Sequence, residues 1–354
     1  MNDTDILTQL RAADPARRLE VPAAWPPVDA FIAAYDRRTT RRRRARVAIG
    51  AVAAATAAVL VVPVLGFGGA GSASPAAADA LRRAAAITAV DQATSPGQFW
   101  KITTVGSNLT TVAGNDPAGG PDPVYAVYQV SLQRTDYVSV DGSQPSWTQE
   151  TSGEQITQLT GPDGYQRPER TSGASTSNLS PDEVPGTWQT PTIGFLQSLP
   201  RDTAALRDRL YRDVDGHGPS DDGEVLVYVT DVLRSGLVPA DLRSALFRVL
   251  ETVPGIEVTD GDASIDGVTG IAIGRLEPRN GTRQEIVIDP ATGQVIGARE
   301  VQVVAGDGPP AGTVISQVRV TRTLVDGVPA DVKRTAQRFE CTVDVGGATV
   351  CQAG

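Results

Sequence analysis

Between Arg37 and Pro75 the chain reads RRTTRRRRARVAIGAVAAATAAVLVVPVLGFGGAGSASP, in which seven arginines precede twenty-one uncharged residues, Val47 to Phe67. As a helix rising 1.5 Å per residue, those residues would span roughly 30 Å, the thickness of a bilayer's hydrocarbon core. Alanine supplies much of the apolar character, Thr56 is the one polar side chain, and Pro63 would bend or end the helix. Three outcomes are open for this segment: a permanent anchor, a cleaved secretory signal, or a buried helix. The 46 residues before it exceed the short basic region of a normal signal, whereas GSASPAAADA after it offers small residues to a cleaving enzyme. The anchor is the expectation. Arg41, Arg42, Arg43, Arg44 and Arg46 flank its N-terminal end and no basic residue follows until Arg82. Because a translocating segment keeps its Lys/Arg flank in the cytoplasm, the N-terminus is predicted inside and the C-terminal bulk outside the cell membrane.

Charge divides at the same place. Residues 1–46 carry ten arginines against six acids, a balance of +4, while residues 68–354 carry 22 basic against 35 acidic groups, a balance of −13. An acidic outer portion excludes nucleic acid as its partner, since phosphate recognition needs clustered Lys and Arg.

The two cysteines stand in CTVDVGGATVC, where Gly346-Gly347 is a hairpin turn signal between alternating runs. A three-residue turn at Val345 to Gly347 sets Cys341 opposite Cys351, so a cross-strand disulfide is expected, worth about 2–3 kcal/mol for so small a loop. The alternative is two reduced, buried thiols. Two cysteines and one distant His217 cannot supply the four ligands of a zinc site.

Along the chain, TDILTQLRAADPA and PVDAFIAAYDRR read as short amphipathic helices in residues 1–46, either juxtamembrane or partner-binding. Residues 68–95 form a Gly/Ala spacer and a helix opened by Ser74-Pro75. From Pro96 the pattern alternates: GQFWKITTVGS and PVYAVYQVSLQRTDYVSVDG read as half-buried strands. Residues 143–192 are poor in aliphatics, so only short edge strands are expected there, around Trp147 to Glu150 and Gln155 to Leu159, between long surface loops. PRDTAALRDRLYRDV, EVLVYVTDVLRSG and PADLRSALFRVLETVPG are helical, the last aligning Leu242, Ala245, Leu246, Val249, Leu250 and Val253 on one face. VTGIAIGRLE, RQEIVIDPATGQVIGAREVQVV and GTVISQVRVTRTLVD return to alternation, with turns at Asn280-Gly281 and Pro290 to Gly293. The expected fold class is α+β: a short cytoplasmic segment (1–46), one transmembrane helix (47–67), the spacer and helix (68–95), and an extracytoplasmic domain (96–354) with a curved antiparallel sheet packed against helices.

Chemistry-bearing patterns are few. DVDGHGPSDDGE matches a calcium loop at Asp213, Asp215, Gly218 and Glu224, with Asp221 at the ninth position, but departs from it at His217 and Ser220 and has no second hand. A solvated acidic connection between helices is the competing interpretation. His217 is the sole histidine and no G-x-S-x-G accompanies it. Neither a phosphate-cradling loop nor a dinucleotide fingerprint is present. No catalytic residue, cofactor or metal is therefore expected. Trp100, Trp147 and Trp188 either line an apolar concavity or fill the core.

LRAADPA, the basic cluster with its apolar run, PGQFWKI, GHGPSDDGEVLVYVTDVLRSGLVPADLRSALFRVLETVPGIEV and RQEIVIDPATGQVIGARE occur in an order that resembles an uncharacterised family of actinobacterial single-pass membrane proteins. That family is often encoded beside extracytoplasmic-function sigma factors. The outer domain is also similar to the half-barrels of lipoprotein carriers and sigma-regulator sensors, a likeness of fold alone. The resemblance implies a membrane-anchored, extracytoplasmic sensing protein whose cytoplasmic segment binds a sigma factor. The alternative is a module that holds a lipid or apolar ligand outside the membrane.

Overall fold

The strands are β1 (Phe99–Gly114), β2 (Val124–Ser139), β3 (Trp147–Thr160) and β4 (Thr171–Ser177), then β5 (Glu257–Ile265), β6 (Val268–Glu277), β7 (Thr282–Ile288), β8 (Val295–Gln302) and β9 (Val314–Val325), and finally β10 (Gln337–Val343) and β11 (Thr349–Ala353); apolar and polar residues alternate along most of them, but β3 and β4 are polar on both faces. These coordinates, a computed structural model, describe residues 72–87, 92–116, 120, 123–304, 309–343 and 349–354. All eleven strands join one sheet in the order β11-β10-β4-β3-β2-β1-β9-β8-β7-β6-β5. Every neighbouring pair is antiparallel except β10 with β4.

Helices cover the inner face over the β6–β8 half. They are α1 (Pro75–Ile87), α2 (Ile193–Ser198), α3 (Thr203–Asp213), α4 (Asp221–Arg234) and α5 (Ala240–Leu250); a short α6 (Ala330–Thr335) follows β9. Side-chain caps start several of them. Ser74 accepts a hydrogen bond from the Ala77 amide ahead of Pro75, Asp202 accepts from Ala205, and Ser220 accepts from Gly223. The apolar stripes then meet Ile273, Ile286 and Ile288 of β6 and β7, burying Leu81, Leu210, Leu226, Leu246 and Phe247 in one core. Each such side chain stabilises the fold by about 1.5–3 kcal/mol through burial. Ala73 and Ser74 donate backbone hydrogen bonds to Glu251 and Ile256, so α1 belongs to the same compact unit as the sheet, Leu65–Gly354.

Beneath β5–β8 the outer face is also closed. The β5–β6 hairpin reaches back towards β9, where Asp266 pairs with Arg319 at 2.8 Å. Ala263, Ile265, Ala272, Val287 and Ile296 pack there as a second small core. Beside them Glu285, fully buried, accepts hydrogen bonds from Arg283 (2.6 Å) and from Arg299, which also reaches Asp260 at 3.1 Å. Elsewhere on the outer face α6 places Val332 against Phe99 and Tyr137.

Two carboxylates, Asp260 in β5 and Asp289 in the β7–β8 turn, connect the fold to pH. The Asp262 amide and Arg299 hold Asp260 below the usual carboxylate range, and Thr292 with the Ala291 amide does the same for Asp289 between β7 and β8. A folded-state pKa below the unfolded value contributes stability above the unfolded value and loses it as pH falls through the folded one. The melting temperature is therefore expected to be flat near neutrality and to drop once pH falls below about 4, where free aspartate titrates. Calorimetry between pH 7 and 3 checks this, and a melting temperature that rises on acidification would contradict it.

Two expectations need correction. The α+β class, with a transmembrane helix and an outer domain whose curved antiparallel sheet packs against helices, gives way to a molecule dominated by one large antiparallel sheet. The physical reason lies in residues 143–192, where short edges were expected: β3 runs fourteen residues and β4 seven, because Thr, Ser and Gln sit well on a pleated surface that is only half buried. The single-pass membrane localisation is likewise not supported. Among the described residues no helix is long and apolar enough to cross a membrane. The longest, α4, has 14 residues and spans only about 21 Å. Val47 to Phe67 itself, the arginines at 41–44 and 46, and the turn at Val345 to Gly347 lie outside the described residues.

Candidate functional site

Over the β1–β3 and β9 half, the inner face is only partly covered. Register fixes which side chains point inward: Val320, Thr104, Arg134 and Glu150 form one row across β9, β1, β2 and β3, and Ile102, Asp136 and Thr148 form the next. In the row beyond, Val318 and Leu132 flank Gly106. A Cβ at Gly106 would collide with the Gln317 carbonyl oxygen of β9, and one at Gly297 of β8 would meet the Val318 carbonyl oxygen on the other side. Glycine alone lets both strands approach β9 so closely, and at Gly106 it leaves the space between Val318 and Leu132 empty.

That space belongs to a cavity of about 480 Å3. Its floor is Ile102, Leu132, Val138, Val318 and Val320, with Thr104 and Thr148. Its roof is the last turn of α4, with Asp231 and Arg234, then Leu237, and the segment Gln189 to Pro191. The cavity exists because α4 ends at Arg234: Gly236, at φ 70°, turns the chain away towards α5 before a helix can cover β1 and β2.

Charges enter this apolar space as pairs. On the floor, Arg134 donates to both oxygens of Asp136 at 2.8–3.0 Å, Thr148 donates to Asp136 at 2.7 Å, and Glu150 lies 3.7 Å from Arg134. On the roof, Arg234 lies 2.9 Å from Asp231. Burial raises the Asp231 carboxyl above the usual carboxylate range, against the pull of Arg234.

A second cavity of about 350 Å3 lies on the other side of the α4–α5 turn and shares Val320. Arg243 and Arg322 line it. Arg322 stacks 3.7 Å above the Trp100 ring and donates to the Gly236 carbonyl at 2.9 Å, and Arg243 donates to Val238 at 3.2 Å.

The residues that the sequence singled out are distributed as follows. Cys341 stands directly opposite Cys351, with Cα atoms 4.0 Å apart and the sulfurs bonded, at the β10–β11 edge of the sheet and away from the cavity floor. Asn178 fixes that edge by accepting from the Cys341 amide and donating to its carbonyl. The carboxylates of the DVDGHGPSDDGE segment do not converge. Asp213 accepts from Trp188 and Arg209, while Asp222 accepts from Tyr211, whose hydroxyl burial and this bond push up to about 12. Glu224 packs against Gly218, and His217 lies 6.4 Å from the Tyr228 ring. Among the described residues no group of three or more His, Cys, Asp or Glu is placed to hold a metal ion.

The three tryptophans do not share a concavity. Trp100 supports Arg322, Trp147 packs on the outer face beside Tyr137, and Trp188 stacks on Tyr228 in the helical core. The cavity's own residues escaped notice. Their signal is the alternation Leu132, Arg134, Asp136, Val138, two charges on a strand face that is otherwise apolar. Compared with protein-family models and with curated proteins, the chain matches none.

Proposed function

We propose that the domain is a non-catalytic binding module whose ligand is a small molecule with an apolar body, seated between α4 and the inner face of β1, β2 and β9. The observation that carries this reading is the cavity of about 480 Å3, floored by five aliphatic side chains and carrying a few convergent polar groups. That size and that mixture are those of ordinary small-molecule sites. A non-enzymatic role is supported by the charged groups themselves: each carboxylate on the cavity wall already serves an arginine, and Asp136, which accepts from the Thr148 hydroxyl, is held at the same time by Arg134. The resemblance to proteins encoded beside extracytoplasmic-function sigma factors supports a sensing use of such a site, with occupancy as the signal. Residues 1–46, which the sequence would assign to a sigma factor, lie outside the described residues and lend nothing to this reading.

Leu132→Trp tests it. The indole would occupy the gap left by Gly106, so decanol, a neutral amphiphile, is expected to bind the wild-type chain saturably at 1:1 and the variant at least about tenfold more weakly. Isothermal titration supplies the affinities and a thermal melt confirms that the variant folds. Equal affinity for both chains would remove this cavity as the site.

A further inference from the structure

In both ion pairs of the cavity the carboxylate is the deeper partner. Asp231 is 11% exposed and Arg234 is 44%; Asp136 is 21% exposed and Arg134 is 46%. The two guanidinium groups therefore stand towards solvent while the two carboxylates stand towards the apolar floor. Arg134 is also shared with a second acid, Glu150. The four charged groups that line the cavity, Arg134, Asp136, Asp231 and Arg234, sum to zero, so the negative potential over the floor comes from the greater depth of the two carboxylates, with Glu150 beside Arg134 adding one negative charge outside the lining. Arg322 faces the neighbouring cavity and is engaged by the Trp100 ring and the Gly236 carbonyl. A negative potential in a low-dielectric recess attracts a cation and repels an anion more strongly than the same charges would in water.

We infer that the ligand carries a cationic head group, an ammonium of the alkylamine class, placed between Asp231 on the roof and Asp136 on the floor, with its hydrocarbon over Ile102, Leu132 and Val320. Asp231 is the determinant. It is a nearly enclosed carboxylate with one ion-pair partner, so it has acceptor capacity left for an N–H donor. Asp136 is already committed to three donor groups of Arg134 and Thr148 and contributes mainly charge. This assignment rests on the cavity being the binding site.

The test separates the two. Decylamine, decanol and decanoate, which share one chain and differ in charge at pH 7, are titrated into the full chain by calorimetry. Decylamine is expected to bind at least about tenfold more tightly than decanol, as a charge-assisted hydrogen bond implies, and decanoate more weakly than either. Asp231→Asn should bring decylamine to within about threefold of decanol, and Arg234→Gln, which removes the outer counter-charge, should tighten decylamine several-fold. Thermal melts of both variants establish that they fold. Decanoate binding as tightly as decylamine, or decylamine affinity unmoved in Asp231→Asn, overturns the cationic head group while leaving the cavity as a binding site. Failure of all three probes to bind overturns both.

Discussion

Replacing Glu285 with alanine is expected to destabilise the fold by about 3–5 kcal/mol, because it removes one member of a buried charge network and strands the others. Glu285 is fully buried, and Arg283 and Arg299, which donate to its two oxygens, are 24% and 14% exposed. Without the carboxylate, two guanidinium groups at the β7–β8 pair are left with Asp260 as their one remaining acid among the groups described above. Denaturant unfolding at pH 7 measures the loss. A sharper form of the experiment replaces Arg283, Glu285 and Arg299 together with Met, Leu and Met. Since the desolvation cost of the charges disappears with them, the triple variant should lose far less than the single one. A single variant within about 1 kcal/mol of wild type would mean that water reaches the site and shares the charge.

Phe247→Ala should cost a comparable amount, about 3–5 kcal/mol, by a different route. Phe247 is wholly enclosed on α5 among Leu242, Leu246 and Leu250, so truncation loses transfer free energy and opens a void that rigid neighbours cannot fill. Val350→Ala, on the exposed face of β11, provides the contrast and should stay within about 0.5 kcal/mol. If Phe247→Ala were equally mild, the helical layer would be a loosely packed cover, and a roof anchored by α4 would lose its support.

How far the chain could be read in advance depended on which physical signal dominated locally. The helices were legible because Leu242, Ala245, Leu246, Val249 and Leu250 repeat at helical spacing and bury one face, while Pro254-Gly255 ends the run. Cys341 opposite Cys351 was legible from the Gly346-Gly347 turn signal set between two alternating runs. Strand β3 was not. In WTQETSGEQITQLT polar residues fill both faces, and its place in the sheet comes from pairing with β2 on one side and β4 on the other, which local propensity does not carry. The run Val47 to Phe67 was read from its length and lack of charge, and it lies outside the described residues. The cavity was hidden for a different reason. Its floor comes from β1, β2 and β9, and only the long-range register sets Val320 beside Thr104 and Arg134.

That register has a further consequence, for the time course of folding. Gln98 and Asp326, 228 residues apart, hydrogen-bond at the end of the β1–β9 pair, so the central seam of the sheet closes only when the two ends of the domain meet. Contacts of such span slow the search for the native state. During synthesis β1 to β4 emerge before β9 and must wait for it with the β1 edge unpaired, while α3 to α5 are already able to coil. Refolding should therefore show helical signal early and closure of the seam last, with the cavity becoming competent to bind only in that final step.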